Sequence, residues 1–417
     1  MSPKSAKLGL RHGFTLIELL IVIAVIGMLM SLTIVVMNGI SDRAMRAATK
    51  ATVQKINGLL QQRIEAFDRA FTDDRREDAI QHVRDILEPE IILAKGAPHS
   101  LENESATSVL AKKLEFRFQF PQRVQDRLDA PNNRDPQATG AGLTATNLPT
   151  SLYEVIAFPV ARTQLIEKTG GTPTVAQVNA QVNVNWAKHD RDTESAELLY
   201  FALVRSESFG ATVSGADQFS ASEISDTDND GLPEFVDAWG NPLRFYRWPT
   251  RLVDHNPPVP FNPILSNLAD GTDGRVITAD ERRVAGVLLK GLPPAPGTIS
   301  GTQQREHLLV DPDDPIGLLY TFLENPQYIA MGIDLQDYIN EDTFHTIDTY
   351  HTPLIVSAGA DENLGLYEPW FTDTGIFGTL AQPVGVVLPA VPVYPLAGED
   401  AMLDNVTNRS RRAGGQL

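Results

Sequence analysis

The chain has 417 residues, 42% of them hydrophobic and 21% charged, enough for a membrane segment and one large or two ordinary domains. Its formal net charge of -18 argues against nucleic acid or anionic lipid as partner of the soluble part. The absence of cysteine excludes disulfides, thiolate zinc sites and thiol nucleophiles together.

The first element is the apolar run "GFTLIELLIVIAVIGMLMSLTIVV" at 13–36, whose one ionisable side chain is Glu18. A helix over 14–37 is long enough for the hydrocarbon core, so this segment is expected to be a single transmembrane helix. Lys4, Lys7 and Arg11 precede it, which keeps the N-terminus cytoplasmic and sends the rest to the periplasmic side. No small-residue cleavage site follows Val36, unlike a secretory signal peptide. A carboxylate within such a helix costs about 2.5–3.5 kcal/mol near the centre and calls for a partner.

The residues "RHGFTLIELLIVIAVIG" at 11–27 resemble the leader and N-terminal helix of type IV pilins and type II secretion pseudopilins. The resemblance implies that residues 1–13 are a prepilin leader and that a prepilin peptidase cuts after Gly13 and methylates Phe14. It also implies that Glu18 serves filament assembly by pairing with a neighbouring subunit's amino terminus. At 4 Å and an effective dielectric of 20 such a pair is worth about 4 kcal/mol. Many members carry a proline two-thirds along this helix where this chain has Val35. The implied partners are other pilin or pseudopilin subunits, an inner-membrane assembly platform and the lipid bilayer, with no nucleic acid. The implied location is the inner membrane, then a periplasmic or surface filament.

Residues 38–71 continue as an amphipathic extension, with Ile56, Leu59, Leu60, Ile64 and Phe67 at helical spacing. "EDAIQHVRDILEPE" reads as a second helix ended by Pro89. "DAPNNRDPQATGAGLTATNLPTS" reads as a long loop, and "AELLYFALV" as either a buried helix or a strand. The short runs "PLRFYRW", "EHLLVD", "YIAMGI" and "PLIVSAG" suggest antiparallel strands between loops such as "HNPPVPFNP". The expected fold class is α+β: a long N-terminal helix packed on a head, 72–408, with an antiparallel sheet and large loop insertions. Residues about 90–200 are a candidate inserted subdomain, and the tail 409–417 is expected to be disordered.

The strongest chemistry lies in "DTDNDGLPEFVD", 226–237. Asp226, Asp228, Asp230, Glu234 and Asp237 stand at loop positions 1, 3, 5, 9 and 12, with Gly231 at the sharp turn and the Leu232 carbonyl as a further ligand, the pattern of a calcium loop. Calcium is therefore the expected cofactor. The flanks are not helical, so this is not a helix–loop–helix hand. The following "DAWGNPLRFY" resembles a segment of the major pseudopilin of type II secretion, and "IVSAGADENLG" resembles its later turn, with Glu362 where glycine is common. That resemblance makes Asp361, Asp400 and Asp404 weaker metal candidates. Gly240 and Pro242 are expected to form a turn that presents Trp239 to the core. His345, Asp348 and His351 have a spacing that metal ligands use, but an extended segment would place only the two histidines on one face.

The expected function is that of a non-enzymatic pseudopilin of a type II secretion-like system. A type IV pilin for attachment or motility is the alternative within that class. A membrane-anchored binding module or enzyme using a pilin-type leader is the alternative outside it.

Overall fold

A computed structural model of the chain describes residues 16–95, 104–127, 152–205, 216–247, 353–370 and 405–408, with Asp314 and Leu318. It divides into two compact units, Met1–Ala47 and Ala48–Leu417. In the first unit the described backbone belongs to helix α1, Leu16–Ala70. The large apolar side chains described between Leu16 and Met30 are 46–81% exposed.

The second unit begins with the remainder of α1 and adds α2 (Asp73–Lys95), α3 (Glu104–Gln119), α4 (Leu152–Thr169), α5 (Val175–Trp186) and α6 (Arg191–Tyr200). Its strands are β1 (Ile224–Ser225), β2 (Glu234–Phe235), β3 (Arg244–Tyr246), β4 (Leu354–Ser357) and β5 (Val406–Thr407). β1 pairs antiparallel with β2, and β3, β4 and β5 form an antiparallel sheet in that order. The described head is thus α+β, with more helix than its short apolar runs suggested.

The stripe on α1 does what its spacing requires: Val53, Ile56, Leu60 and Phe67 are buried, and Leu59 and Ile64 pack beside them. They meet Phe116 and Phe120 at the end of α3, Leu199 and Tyr200 of α6, Phe235, Leu243, Phe245 and Ile355. Phe67 and Phe116 pack edge to face at 5.6 Å, a geometry that brings a ring edge to a π-face. A second cluster joins Ile156, Ala157 and Ala161 of α4 to Val178, Val182 and Trp186 of α5, with Leu198 and Leu232. The stretch about 90–200 is therefore shared between two cores, with α3 and α6 contributing to the one that contains α1.

Two readings of the sequence are corrected, and one left open between helix and strand is settled. α2 runs through Pro89 to Lys95, so the proline does not end it. One proline removes a single N–H donor, and flanking turns of good helix formers can carry that loss. "AELLYFALV" is helical, as α6 followed by a π turn over Phe201–Arg205. Trp239 is only half-buried, and Phe235, Leu243 and Phe245 fill the core instead. "EHLLVD", "YIAMGI", the loop at 128–151, the proline-rich segments and the tail lie outside the described residues.

α5 starts at a capping box, in which Thr174 Oγ1 accepts from the Gln177 amide and Gln177 Oε1 accepts from the Thr174 amide at 2.8 Å. α6 starts at Asp190, whose carboxylate accepts from the Asp192 amide at 3.0 Å. The short turn between them holds His189, and this placement builds the site.

Candidate metal centre

The acidic loop closes on itself as its spacing requires. Asp226 Oδ2 accepts from the Gly231 amide at 3.0 Å, Asp228 Oδ1 from the Asp230 amide at 2.9 Å, and Asp230 Oδ1 from the Leu232 amide at 2.6 Å. Glu234 Oε1 accepts from the Thr227 amide at 2.6 Å. Gly231 has φ +95, a left-handed backbone that favours glycine, and a Cβ there would displace the end of the Gln164 side chain.

The loop sits against the α5–α6 turn. Asp228 Oδ2 accepts from the Asp190 amide at 2.7 Å, and Lys188 Nζ donates to the Asn229 carbonyl at 2.9 Å. Asp230 Oδ2 lies 3.0 Å from His189 Nδ1, which is also 3.4 Å from Glu197 Oε2 and 4.0 Å from Asp228 Oδ2. The ligand atoms of His189, Glu197, Asp228 and Asp230 all lie within 4.8 Å of one another, the group among the described residues suited to a metal ion. His189 stacks on Trp186 at 4.8 Å, and its Nε2 is 3.3 Å from Glu194 Oε2. Glu194 is itself held by the Val124 amide at 2.6 Å.

The electrostatics follow from crowding. Partial burial and the charges of Asp230 and Asp228 push Asp226 up to about 6. Burial pushes Glu234 up to about 7, against its bond from Thr227. Burial likewise raises Glu197 well above the ordinary range, although the positive His189 opposes it. Burial alone would lower His189, but hydrogen bonds to Asp230 and Glu194 and the charges of Glu197 and Glu194 raise it well above its ordinary value. A divalent cation would relieve this repulsion.

Of the residues the sequence singled out, Asp228 and Asp230 enter the converging group. Asp226 and Glu234 stay in the loop, where Glu234 Oε2 is buried with no hydrogen-bond partner. Asp237 is not in the group. Its Oδ1 accepts from the Trp239 and Asn241 amides at 2.9 Å each and its Oδ2 from Ser357 Oγ at 2.7 Å, so the carboxylate closes its own turn and ties it to β4. Leu232 is buried in the second core. Asp361 is exposed and accepts from the Asn363 amide at 3.0 Å, the bond of a surface turn. Asp400, Asp404, His345, Asp348, His351, Gly13, Phe14 and the side chain of Glu18 lie outside the described residues.

His189 and Glu197 escaped the sequence reading because each looks ordinary in its local context. Acidic residues are common in the first turns of helices, where they complement the dipole. The usable signal was that Glu194 and Glu197 share a helical face with Leu198, so that two carboxylates point where an apolar stripe should run.

The Asp237–Ser357 bond also joins the segments 237–246 and 355–365. Asn241 Nδ2 donates weakly to the Gly359 carbonyl at 3.5 Å beside it.

Among the described residues no helix is long and apolar enough to cross a membrane, and the side chains of 18 and 31–40 are not among them. Comparison with known families matches residues 9–34 to the prokaryotic N-terminal methylation motif, the prepilin-type signal of type IV pilins and pseudopilins. No curated protein and no solved structure matches the chain.

Proposed function

From that signal we propose that the chain is a non-enzymatic structural subunit, a pseudopilin of a type II secretion-like system that assembles into a periplasmic filament. The motif carries processing by a prepilin peptidase and assembly with pilin-type subunits. The observation that supports a membrane-inserted pilin-like subunit is that the motif at 9–34 includes the first turns of α1, whose large apolar side chains at 16–30 stand exposed. Such a surface is stable in lipid or against neighbouring helices and unstable in water. The segment 14–37 then crosses the inner membrane once, with the N-terminus cytoplasmic and the head periplasmic.

Glu18 is the assembly residue in this reading. Cleavage after Gly13 creates the cationic amino group of Phe14, and a neighbour's Glu18 neutralises it at low dielectric. The head carries calcium on the loop formed by Asp226, Asp228, Asp230, the Leu232 carbonyl and Glu234. All of these donors are oxygens, as a hard cation requires.

Expression of Glu18→Ala in the native host tests the proposal. Leader cleavage and membrane insertion are expected to match the parent while cross-links between neighbouring subunits, formed with an amine-reactive reagent, disappear. Normal cross-linked ladders from the variant would overturn the role of Glu18. Parent filaments sheared from the cell surface, with none in the periplasm, would overturn the pseudopilin reading in favour of a type IV pilin.

A further inference from the structure

The group at the α5–α6 turn has donors that a calcium loop does not need. We propose that His189, Glu197, Asp228 and Asp230 bind a transition-metal dication of the zinc type, with Nδ1 of His189 as its nitrogen ligand. This rests on the metal reading of the acidic loop only in sharing Asp228 and Asp230.

Three observations carry it. The first is spacing: donors on a tetrahedral zinc at about 2.0–2.2 Å stand roughly 3.3–3.5 Å apart. Around His189 Nδ1 the distances are 3.0 Å to Asp230, 3.4 Å to Glu197 and 4.0 Å to Asp228. Small side-chain shifts bring the four atoms onto one ion.

The second is an unspent ligand. Glu197 Oε2 faces His189 Nδ1, belongs to a side chain only 1% exposed, and has no hydrogen-bond partner. Its other oxygen accepts from Thr193 Oγ1 at 2.6 Å, which aims the carboxylate into the cluster. A buried carboxylate oxygen without a donor is costly unless a cation takes it.

The third is the support behind the imidazole. The Glu194 carboxylate stands 3.3 Å from Nε2 and is anchored by the Val124 amide. A dication binding there displaces the Nδ1 proton of His189, and Glu194 then holds the remaining proton on Nε2, the carboxylate–histidine pairing that orients metal-bound histidines. Trp186 stacked on the ring limits its rotation. A neutral imidazole with three carboxylates suits zinc and its neighbours, whereas calcium takes oxygen ligands throughout.

The test uses the full chain in detergent, stripped with EDTA and titrated with zinc chloride, cobalt chloride or calcium chloride. The parent is expected to melt about 5 °C higher with excess zinc. It is also expected to show visible d–d absorption with cobalt that zinc abolishes. His189→Gln and Glu197→Gln are each expected to weaken zinc at least tenfold while leaving any calcium response intact; Asp226→Asn should do the reverse. If His189→Gln fails to fold, the parent's cobalt spectrum and Glu197→Gln still decide. A calcium response that depends on Asp226, with no cobalt spectrum and no zinc response, overturns this site and leaves the calcium loop standing. A protein that responds to none of the three ions overturns both readings. Zinc stabilisation unaffected by either variant overturns the ligand assignment.

Discussion

Replacing Ser357 by alanine isolates the contact that ties the turn after β2 to the end of β4. Ser357 is fully buried and Asp237 is 2% exposed, so water cannot replace the lost hydroxyl. The Oγ donates to Asp237 Oδ2 at 2.7 Å and accepts from the Gly359 amide at 3.1 Å. A hydrogen bond to a buried charge is worth about 1.5–3 kcal/mol and a neutral one about 1 kcal/mol, which together give a loss of about 3 kcal/mol. Burial already raises Asp237 above the usual carboxylate range. The variant can therefore take up a proton there, which caps the loss. At about 2–4 °C per kcal/mol for a large domain, the melting temperature should fall by roughly 6–12 °C.

The assay is thermal and urea unfolding of the full chain in detergent with EDTA present, followed by near-UV circular dichroism. Asp237→Asn serves as the matched variant: its Oδ1 still accepts from Trp239 and Asn241, and its amide can donate to Ser357 Oγ. A smaller loss of about 1 kcal/mol is expected. A loss below 1 kcal/mol for Ser357→Ala would refute the reasoning. So would Asp237→Asn abolishing stabilisation by added divalent ions, because that result would make Asp237 a ligand after all.

Three further predictions concern other parts of the head. Glu362 is exposed at φ +60, so Glu362→Gly relieves a left-handed backbone worth about 1 kcal/mol, part of it returned as unfolded-state entropy; a small rise in melting temperature is expected, and a fall would count against it. Phe67→Ala empties a ring site packed by Phe71, Phe116 and Phe120 and should cost about 3–5 kcal/mol in urea unfolding, with a loss under 1 kcal/mol contradicting the packing. In EDTA the pH profile should peak between about 4 and 5. Asp226 at about 6, Glu234 at about 7 and the raised His189 hold protons more tightly folded than unfolded, so their stabilisation is full at low pH and lost as pH rises through those values. Glu223, drawn down to about 2 against its burial by bonds from Lys55, Ser220 and Thr52, and Asp126, drawn down against its burial by Arg247, Arg117 and Arg123, contribute stability that is present above about 4 and lost on acidification. A monotonic rise from pH 4 to 8 without metal would contradict the sign.

What could be read without coordinates was whatever is encoded by near neighbours. The methylation motif is a linear string that a peptidase reads, so residues 9–34 declare it unaided. The spacing of Ile56, Leu60 and Phe67 places them on one helical face whatever they later pack against. The loop at 226–234 closes with bonds of two to seven residues' span, which its own aspartates and Gly231 dictate. Pro89 misled because a local preference was read as a stop, and Trp239 because burial depends on what lies opposite. Tertiary structure alone could bring His189 and Glu197 to Asp230 or lay Ser357 on Asp237, across a sequence separation of 120 residues. Such contacts depend on how α6 and β4 pack across the core, and packing energy is spread over residues that carry no motif. The string of amino acids therefore determined how the chain is processed and where its acidic loop lies. The packing decided which side chains face that loop.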